Sequence, residues 1–427
     1  MPSRQVCAVC GEQYAELDPV TVCRCGGLLQ IEHDPPLEDG ASLRRLFDER
    51  RARHDPQDLS GVWRFREIVM PSVGDRAVTH PEGNTPLLHR DVIGIFAGAP
   101  ELRIKHEGHN PTGSFKDRGM TVAVTQARRL GARAVACAST GNTSASLAAY
   151  AAQAAIPALV FVPRDGVALG KLSQSLAYGA KTLLVDGDFD TCLALAQQAS
   201  RELGIYLVNS INPWRLEGQK TIVLELLQQL GWQAPDWIVL PAGNLGNTAA
   251  FGKALRDAHA VGLIDKMPHL ASIQAAGAAP FARGFREDFV TRHKVKAETV
   301  ATAIKIGDPA SWDRAVQAIR ETKGTVTFVE DRDILEAKAV VDAAGVGCEP
   351  ASAASIAGLR RLTGEGIVGR YDRIVAVLTG HVLKDPGTLL SYHRDMDPAP
   401  ERANRPFEIS ASVAEVERVL DRVRGEQ

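Results

Sequence analysis

From about residue 100 the chain alternates short β-branched, apolar runs with longer alanine-rich stretches whose apolar residues recur at helical spacing. The runs predict strands over 134–137, 158–162, 182–185, 206–208, 238–240, 325–329 and 374–378. Between them, Met120, Val124 and Ala127 mark one apolar helical face, and a run of Ala, Leu and Tyr after Asn142 predicts a helix to about residue 155. A further helix is expected over 249–255, and an amphipathic, charged one near Val413 to Val423. Strand and helix in alternation imply parallel strands, right-handed crossovers and helices on both faces, which is a doubly wound α/β protein. Two such sheets are expected. The strands between about 130 and 210 are closely spaced and form one compact unit, whereas the later strands join the segment that precedes Lys116.

The expected division is a small N-terminal segment over 1–34, a linker and the first part of a large domain over 35–120, and a small α/β domain over 121–212. The rest of the large domain follows over 213–395, and a helical tail over 396–427. Residues 35–80 look charged and irregular, a linker plus a short helix, with one apolar-aromatic stretch at Val62-Trp63-Arg64-Phe65.

Composition narrows the partners. The 427 residues suffice for two or three domains, and a formal net charge of −2 with both signs interleaved leaves no basic footprint for nucleic acid or an anionic membrane. A small molecule is the expected partner. No apolar run approaches a membrane span, and Met1-Pro2-Ser3-Arg4-Gln5 lacks the apolar core of a signal peptide, so the expected location is cytoplasmic. Of the seven cysteines, Cys137, Cys192 and Cys348 sit among apolar or small residues and read as buried, inert thiols. The other four are clustered. Cys7-x2-Cys10, twelve residues, then Cys23-x-Cys25 before Gly26-Gly27 resembles a zinc ribbon, although its second knuckle is one residue short. Bound zinc and a metal-free flap of similar shape both remain open.

Five segments carry candidate chemistry. Asn110-Pro111-Thr112-Gly113-Ser114-Phe115-Lys116-Asp117-Arg118-Gly119 sets one lysine among small and hydroxyl-bearing residues, and a partly desolvated lysine can form a Schiff base with an aldehyde cofactor. Ser139-Thr140-Gly141-Asn142-Thr143-Ser144 follows a predicted strand and opens a helix, as a carboxylate or phosphate site would. A helix cap accounts for one of its hydroxyls but not for five polar residues in six. Pro241-Ala242-Gly243-Asn244-Leu245-Gly246-Asn247-Thr248 reads as a phosphate cup in which two glycines let the backbone approach an anion, and it matches neither the Walker nor the dinucleotide pattern. Asn209-Ser210-Ile211-Asn212-Pro213-Trp214-Arg215-Leu216-Glu217-Gly218-Gln219-Lys220 offers amide and hydroxyl donors with Arg215, whose planar fork suits phosphate. At the end of the last predicted strand, Thr379 can present a neutral hydroxyl to a ligand, and His381 reads as structural.

Together these segments resemble the threonine synthase family, pyridoxal phosphate enzymes of the tryptophan-synthase-β-like fold. The resemblance also runs through Glu82-Gly83-Asn84-Thr85-Pro86-Leu87, Ala301-Thr302-Ala303-Ile304-Lys305-Ile306-Gly307, Glu349-Pro350-Ala351-Ser352 and Leu378-Thr379-Gly380-His381-Val382-Leu383-Lys384-Asp385-Pro386. It implies that Lys116 anchors pyridoxal phosphate, that Asn142 bonds the ring's 3′-oxygen, and that Thr379 meets the pyridine nitrogen. Gly243, Asn244, Leu245, Gly246 and Asn247 would then enclose the cofactor phosphate. The implied reaction converts O-phospho-L-homoserine and water to L-threonine and phosphate. Ser139, Thr140 and Thr143 would take the substrate carboxylate, and Asn209, Ser210, Arg215 and Asn244 its phosphate. The resemblance also implies a homodimer. Rival readings are a cysteate synthase, a serine/threonine dehydratase, or a non-catalytic binding protein on a vestigial fold. Arg215 weighs against the dehydratase, because an unphosphorylated substrate needs no second anion site.

Overall fold

The computed structural model describes residues 3–165 and 172–425. The chain divides into a unit ending at Lys384 and a smaller one from Asp385 to Gln427. The smaller unit carries the helices Pro386–Leu390 and Val413–Gly425, the second where the amphipathic pattern places it.

Among the described residues, the larger unit holds three sheets. Strands β1 (Ser3–Cys7), β2 (Gln13–Ala15) and β3 (Leu29–His33) form an antiparallel sheet in the order β2-β1-β3. The second sheet uses β4 (Leu87–His89), β5 (Arg103–His106), β10 (Trp237–Pro241), β11 (His269–Ala275), β12 (Thr325–Val329) and β13 (Ile374–Leu378). Its order is β12-β11-β10-β13-β5-β4, parallel except for the edge strand β4. The third is wholly parallel, with β6 (Ala134–Ala138), β7 (Ala158–Pro163), β8 (Lys181–Val185) and β9 (Ile205–Leu207) in the order β8-β7-β6-β9. This is the pair of doubly wound sheets that the alternation predicts, with β5, the segment before Lys116, in the larger one.

The central strands of the two larger sheets are buried on both faces, and their period of two sorts side chains between separate cores. Ile238 and Leu240 of β10 enter one core of the large sheet, while Trp237 and Val239 enter the other. In the small sheet Val135 and Cys137 face one way and Ala134, Ala136 and Ala138 the other. Cys137, Cys192 and Cys348 are buried free thiols, as their surroundings predict.

Two parts of the chain differ from their sequence pattern. Residues 40–69 pack into the main core rather than linking domains. Helix Gly40–Arg51 is capped by Asp39, whose carboxylate accepts from the Ser42 amide at 2.7 Å, and it buries Leu43 and Phe47 beside Trp63 and Phe65. The region looks charged because Arg50, itself buried, forks onto Glu67 at 2.6 and 2.7 Å. Strands β5 and β11 escape the hydrophobic pattern because their buried polar residues have partners. Ser272 bonds Thr248 at 2.9 Å, Gln274 accepts from the Ala282 amide at 2.9 Å, and Lys105 donates to Glu225 at 2.6 Å.

Glu225 is the hub of a buried ionic cluster. Its carboxylate meets Arg118 at 2.9 Å, Lys105 at 2.6 Å and Arg64 at 3.2 Å, while Arg118 also pairs with Glu107 at 2.7 Å. These cations hold Glu225 far below the usual carboxylate range despite its burial. Removing one side of a buried network strands the opposite charges, so Glu225→Leu should cost about 3–5 kcal/mol. Denaturant midpoints of the two proteins check this; an unchanged midpoint would mean that the cluster adds nothing.

No helix among the described residues is long and apolar enough to cross a membrane.

Candidate active site

The polar loops converge because they all leave the carboxyl ends of parallel strands, where open α/β sheets bind ligands. Lys116 begins helix Lys116–Arg129. The turn before it is zipped to the loop after β13: the Phe115 amide donates to Thr379 O at 3.0 Å, and the His381 amide to Gly113 O at 2.9 Å. Lys116 and Thr379 are thereby fixed together. His381 also accepts from the Leu383 amide at 3.2 Å, the structural role expected of it.

Helix Lys116–Arg129 packs closely on helix Pro213–Gln219, which carries Arg215. Two glycines permit that approach. A Cβ on Gly119 would lie 2.8 Å from the Arg215 carbonyl oxygen, and one on Gly218 would lie 1.8 Å from that of Arg118. The close helix pair brings the lysine and the arginine into one electrostatic environment. Burial, reinforced by the positive charge of Arg215, lowers the Lys116 amine to about 7. Lys116 nevertheless keeps partial solvent access.

Arg215 is fully buried. One terminal nitrogen donates to Val208 O at 3.2 Å, while Nε and Nη2 have no partner among the described residues. Buried polar groups are nearly always satisfied, so two open donors on one guanidinium mark a place for an anion.

The loop after β10 has a second anion geometry. Leu245 takes a left-handed conformation, φ +63, and helix Gly246–Ala260 follows directly. Such a backbone is uncommon for a branched residue and turns successive amides to one side. Among the described residues, none accepts from the amides of Gly243 to Thr248. Gly243 has no room for a side chain, since its Cβ would lie 2.8 Å from Ile304 Cα. Asn244 braces the cup: its side-chain oxygen accepts from the Ala310 amide at 2.6 Å, and its amide donates to Ser210.

Asn142 opens helix Asn142–Ala154, and the intermediate burial of Ser139, Thr140, Asn142 and Thr143 places this loop on the accessible side. Asn209 exchanges two hydrogen bonds with the Ala138 backbone, each 3.1 Å, tying its own loop to the Ser139 loop and leaving one amide hydrogen to offer.

Glu349 and Ser352 received no role from the sequence. Glu349 is buried at the start of helix Pro350–Gly364. Its carboxylate accepts from Asn142 Nδ2 at 3.0 Å and from Thr379 Oγ1 at 3.3 Å, and burial pushes its pKa up. Ser352 Oγ accepts from the Thr379 and Gly380 amides at 2.8 and 3.0 Å. The available signal was a carboxylate immediately before Pro350, a proline that opens a helix. Its partners lie 207 and 30 residues away, which no local pattern reveals.

These residues fit pyridoxal phosphate: a neutral-prone amine for the aldehyde, a cup of open amides for the phosphate, and Asn142 and Thr379 for the polar edge of the ring. Cofactor capture by the apoprotein should therefore follow the neutral fraction of Lys116. Because its pKa is lowered, the neutral amine forms above about 7 and is lost as pH falls below it. The capture rate, followed by absorbance, should climb through neutrality and then level, whereas an ordinary lysine would keep it rising to about pH 10.

A model of the family described as pyridoxal-phosphate dependent enzyme matches residues 78–380. The chain is 44% identical to a threonine synthase of Methanocaldococcus jannaschii over 97% of this chain and 99% of that one. It is 48% identical to a threonine synthase of Mycobacterium tuberculosis over 77% of this chain and 90% of the relative. Among solved structures, the threonine synthase of Escherichia coli shares the fold, with a TM-score of 0.70 at 18% identity over 98% of this chain and 100% of the other. The chain belongs to the threonine synthase family of pyridoxal-phosphate dependent lyases.

Proposed function

We propose that the chain converts O-phospho-L-homoserine and water to L-threonine and phosphate, with Lys116 as cofactor anchor and proton carrier and Arg215 as the residue that selects the phosphorylated substrate. The observation that carries this reading is the buried Arg215 guanidinium with two open nitrogens, close enough to Lys116 to depress its amine. An unphosphorylated substrate would leave that charge without a partner.

Pyridoxal phosphate, when bound, supplies an aldehyde for the substrate amine and a ring that takes up the electrons left on carbon. Lys116 would hold it, Gly243 to Asn247 would receive its phosphate on backbone amides, and Asn142 and Thr379 would bond its ring. Thr379 offers the ring nitrogen a neutral hydroxyl rather than a carboxylate, and burial raises the pKa of Glu349 beside it. Stabilisation of charge at the substrate carbons then falls to other groups, Lys116 first.

Ser139, Thr140 and Thr143, with the open amides at the start of helix Asn142–Ala154, would take the substrate carboxylate. Ser210, Arg215 and Asn244 would take its phosphate, with Asn209 aligning the two loops and contributing its remaining amide hydrogen. Held at both ends, the substrate presents its α- and β-carbons to Lys116. An amine titrating near 7 suits both removal and return of a proton at neutral pH, which general acid–base catalysis requires. Lys116 would take the α-proton, pass it on, and then take a β-proton as phosphate leaves the γ-carbon; one proton goes back to the γ-carbon as the methyl group forms, water adds its hydroxyl at the β-carbon and gives its proton to the released phosphate, and the other proton goes back to the α-carbon through Lys116.

Product analysis separates this reading from its rivals. The holoprotein should form no keto acid from L-serine or L-threonine at rates comparable with turnover of phosphohomoserine. Rapid keto-acid formation would make it a dehydratase. A homodimer is part of the same proposal, supported by the family likeness alone, and sedimentation equilibrium reads it.

A further inference from the structure

The four N-terminal cysteines take no part in the site above, and they converge. The Sγ atoms of Cys7, Cys10, Cys23 and Cys25 all lie within 4.8 Å of one another, with Cys7 to Cys25 at 3.5 Å and Cys10 to Cys23 at 3.6 Å. Tetrahedral thiolate coordination at about 2.3 Å from zinc requires sulfur–sulfur separations of about 3.8 Å. A disulfide would bring a pair to about 2.05 Å, and all four are free.

The short second knuckle is accommodated by its glycines. Gly26 adopts φ +84 and donates to Cys23 O at 2.9 Å, while the Cys23 amide donates to Gly27 O at 2.9 Å, closing the turn without the usual second spacer. A Cβ on Gly27 would stand 2.7 Å from Cys7 Sγ, so only glycine leaves that sulfur its place. In the first knuckle the Val9 and Cys10 amides point at Cys7 Sγ, at 3.4 and 3.5 Å, and Gly11 at φ +74 donates to Cys7 O at 3.0 Å. Amides directed at sulfur stabilise thiolate, the form that ligates metal.

The small sheet also needs a staple. Its local apolar core consists of Cys7, Cys23 and Leu29, with Tyr14 and Val20 partly buried against them. The sheet is otherwise anchored through Ile31 of β3, which packs into the main core, so the cysteine end has the least apolar support of its own and is the part a metal would staple. Yet this sheet is tied to both active-site helices. Glu16 pairs with Arg129 at 2.7 Å and accepts from Gln126 Nε2 through its carbonyl at 2.6 Å, both on the Lys116 helix. His33 meets Glu217, two residues beyond Arg215, at 2.8 Å.

We infer that Cys7, Cys10, Cys23 and Cys25 hold one zinc ion in tetrahedral thiolate coordination, and that this ion fixes the N-terminal sheet as a clamp on the helices bearing Lys116 and Arg215. Four thiolates with no oxygen or nitrogen ligand select a soft, tetrahedral ion of this kind.

Metal analysis of the full-length holoprotein tests the site independently of activity. About one zinc per chain should survive dialysis and be released by a mercurial. Cobalt loaded in its place should show the intense thiolate charge-transfer and visible bands of a tetrahedral site. Cys10→Ser and Cys25→Ser, both at exposed positions, should lose the metal while keeping cofactor absorbance. Absent metal, stoichiometric iron, or a mass deficit from paired thiols would overturn the zinc assignment; the cobalt experiment on the unaltered chain does not depend on any variant folding. Hydrogen exchange tests the clamp: stripping zinc should speed exchange in 116–129 and 213–219, and equal rates with and without zinc would overturn it.

Discussion

Replacing Lys116 with alanine should lower threonine formation by roughly 10³-fold or more, because one amine supplies both nucleophilic attachment and proton transfer. Borohydride should fix cofactor covalently to the original protein, and Lys116→Ala should remain unlabelled. The variant should still fold, since Lys116 makes no ion pair in the buried network. Its amine instead lies over the Phe115 ring, 4.1 Å from the centroid. Lys116→Arg should be equally inactive, as a guanidinium keeps the charge but neither attacks an aldehyde nor deprotonates at neutral pH. Covalent labelling elsewhere on the chain, with activity retained, would assign the chemistry to another residue.

Arg215→Met should raise KM for phosphohomoserine by roughly 10²–10⁴-fold, because each hydrogen bond to a charged group contributes about 1.5–3 kcal/mol and two open nitrogens are lost. Cofactor binding should survive, since the amide cup belongs to a different loop. The same substitution removes a positive charge that depresses the Lys116 amine, so the titration near 7 should move upward. A purely structural arginine would produce neither that displacement nor a loss confined to phosphorylated substrate. Arg215→Lys should fall between, having the charge without the planar fork. Equal KM values for the original and Arg215→Met proteins would remove Arg215 from substrate binding.

What the sequence made legible was local. Lys116, the Ser139 loop and the Gly243 loop each announce themselves within ten residues, and the strands feeding the last two are plain apolar runs. The groups that required coordinates act over long separations. Glu349 reaches Asn142 across 207 positions, and Arg118 reaches Glu225 across 107. Arg118 sits inside the lysine segment, yet nothing in the wording of that segment says that it is buried and paired. β11 was hidden because Ser272 and Gln274 break its apolar run, and only their buried partners explain why a strand tolerates them. The cysteine spacing reads differently once its backbone is known. A one-residue spacer counts against a metal by pattern, whereas Gly26 and Gly27 supply the turn that the missing residue would have made.

The central claim is that Lys116 and Arg215 act together on O-phospho-L-homoserine to release phosphate and form threonine, and that the shorter phosphoserine is not turned over. Its most direct test is to incubate the full-length holoprotein with O-phospho-L-homoserine and to quantify inorganic phosphate and threonine in the same samples. The account predicts equal amounts of both at every time point, and no cysteate when phosphoserine and sulfite are supplied instead. Phosphate without threonine, or cysteate from phosphoserine, would contradict it.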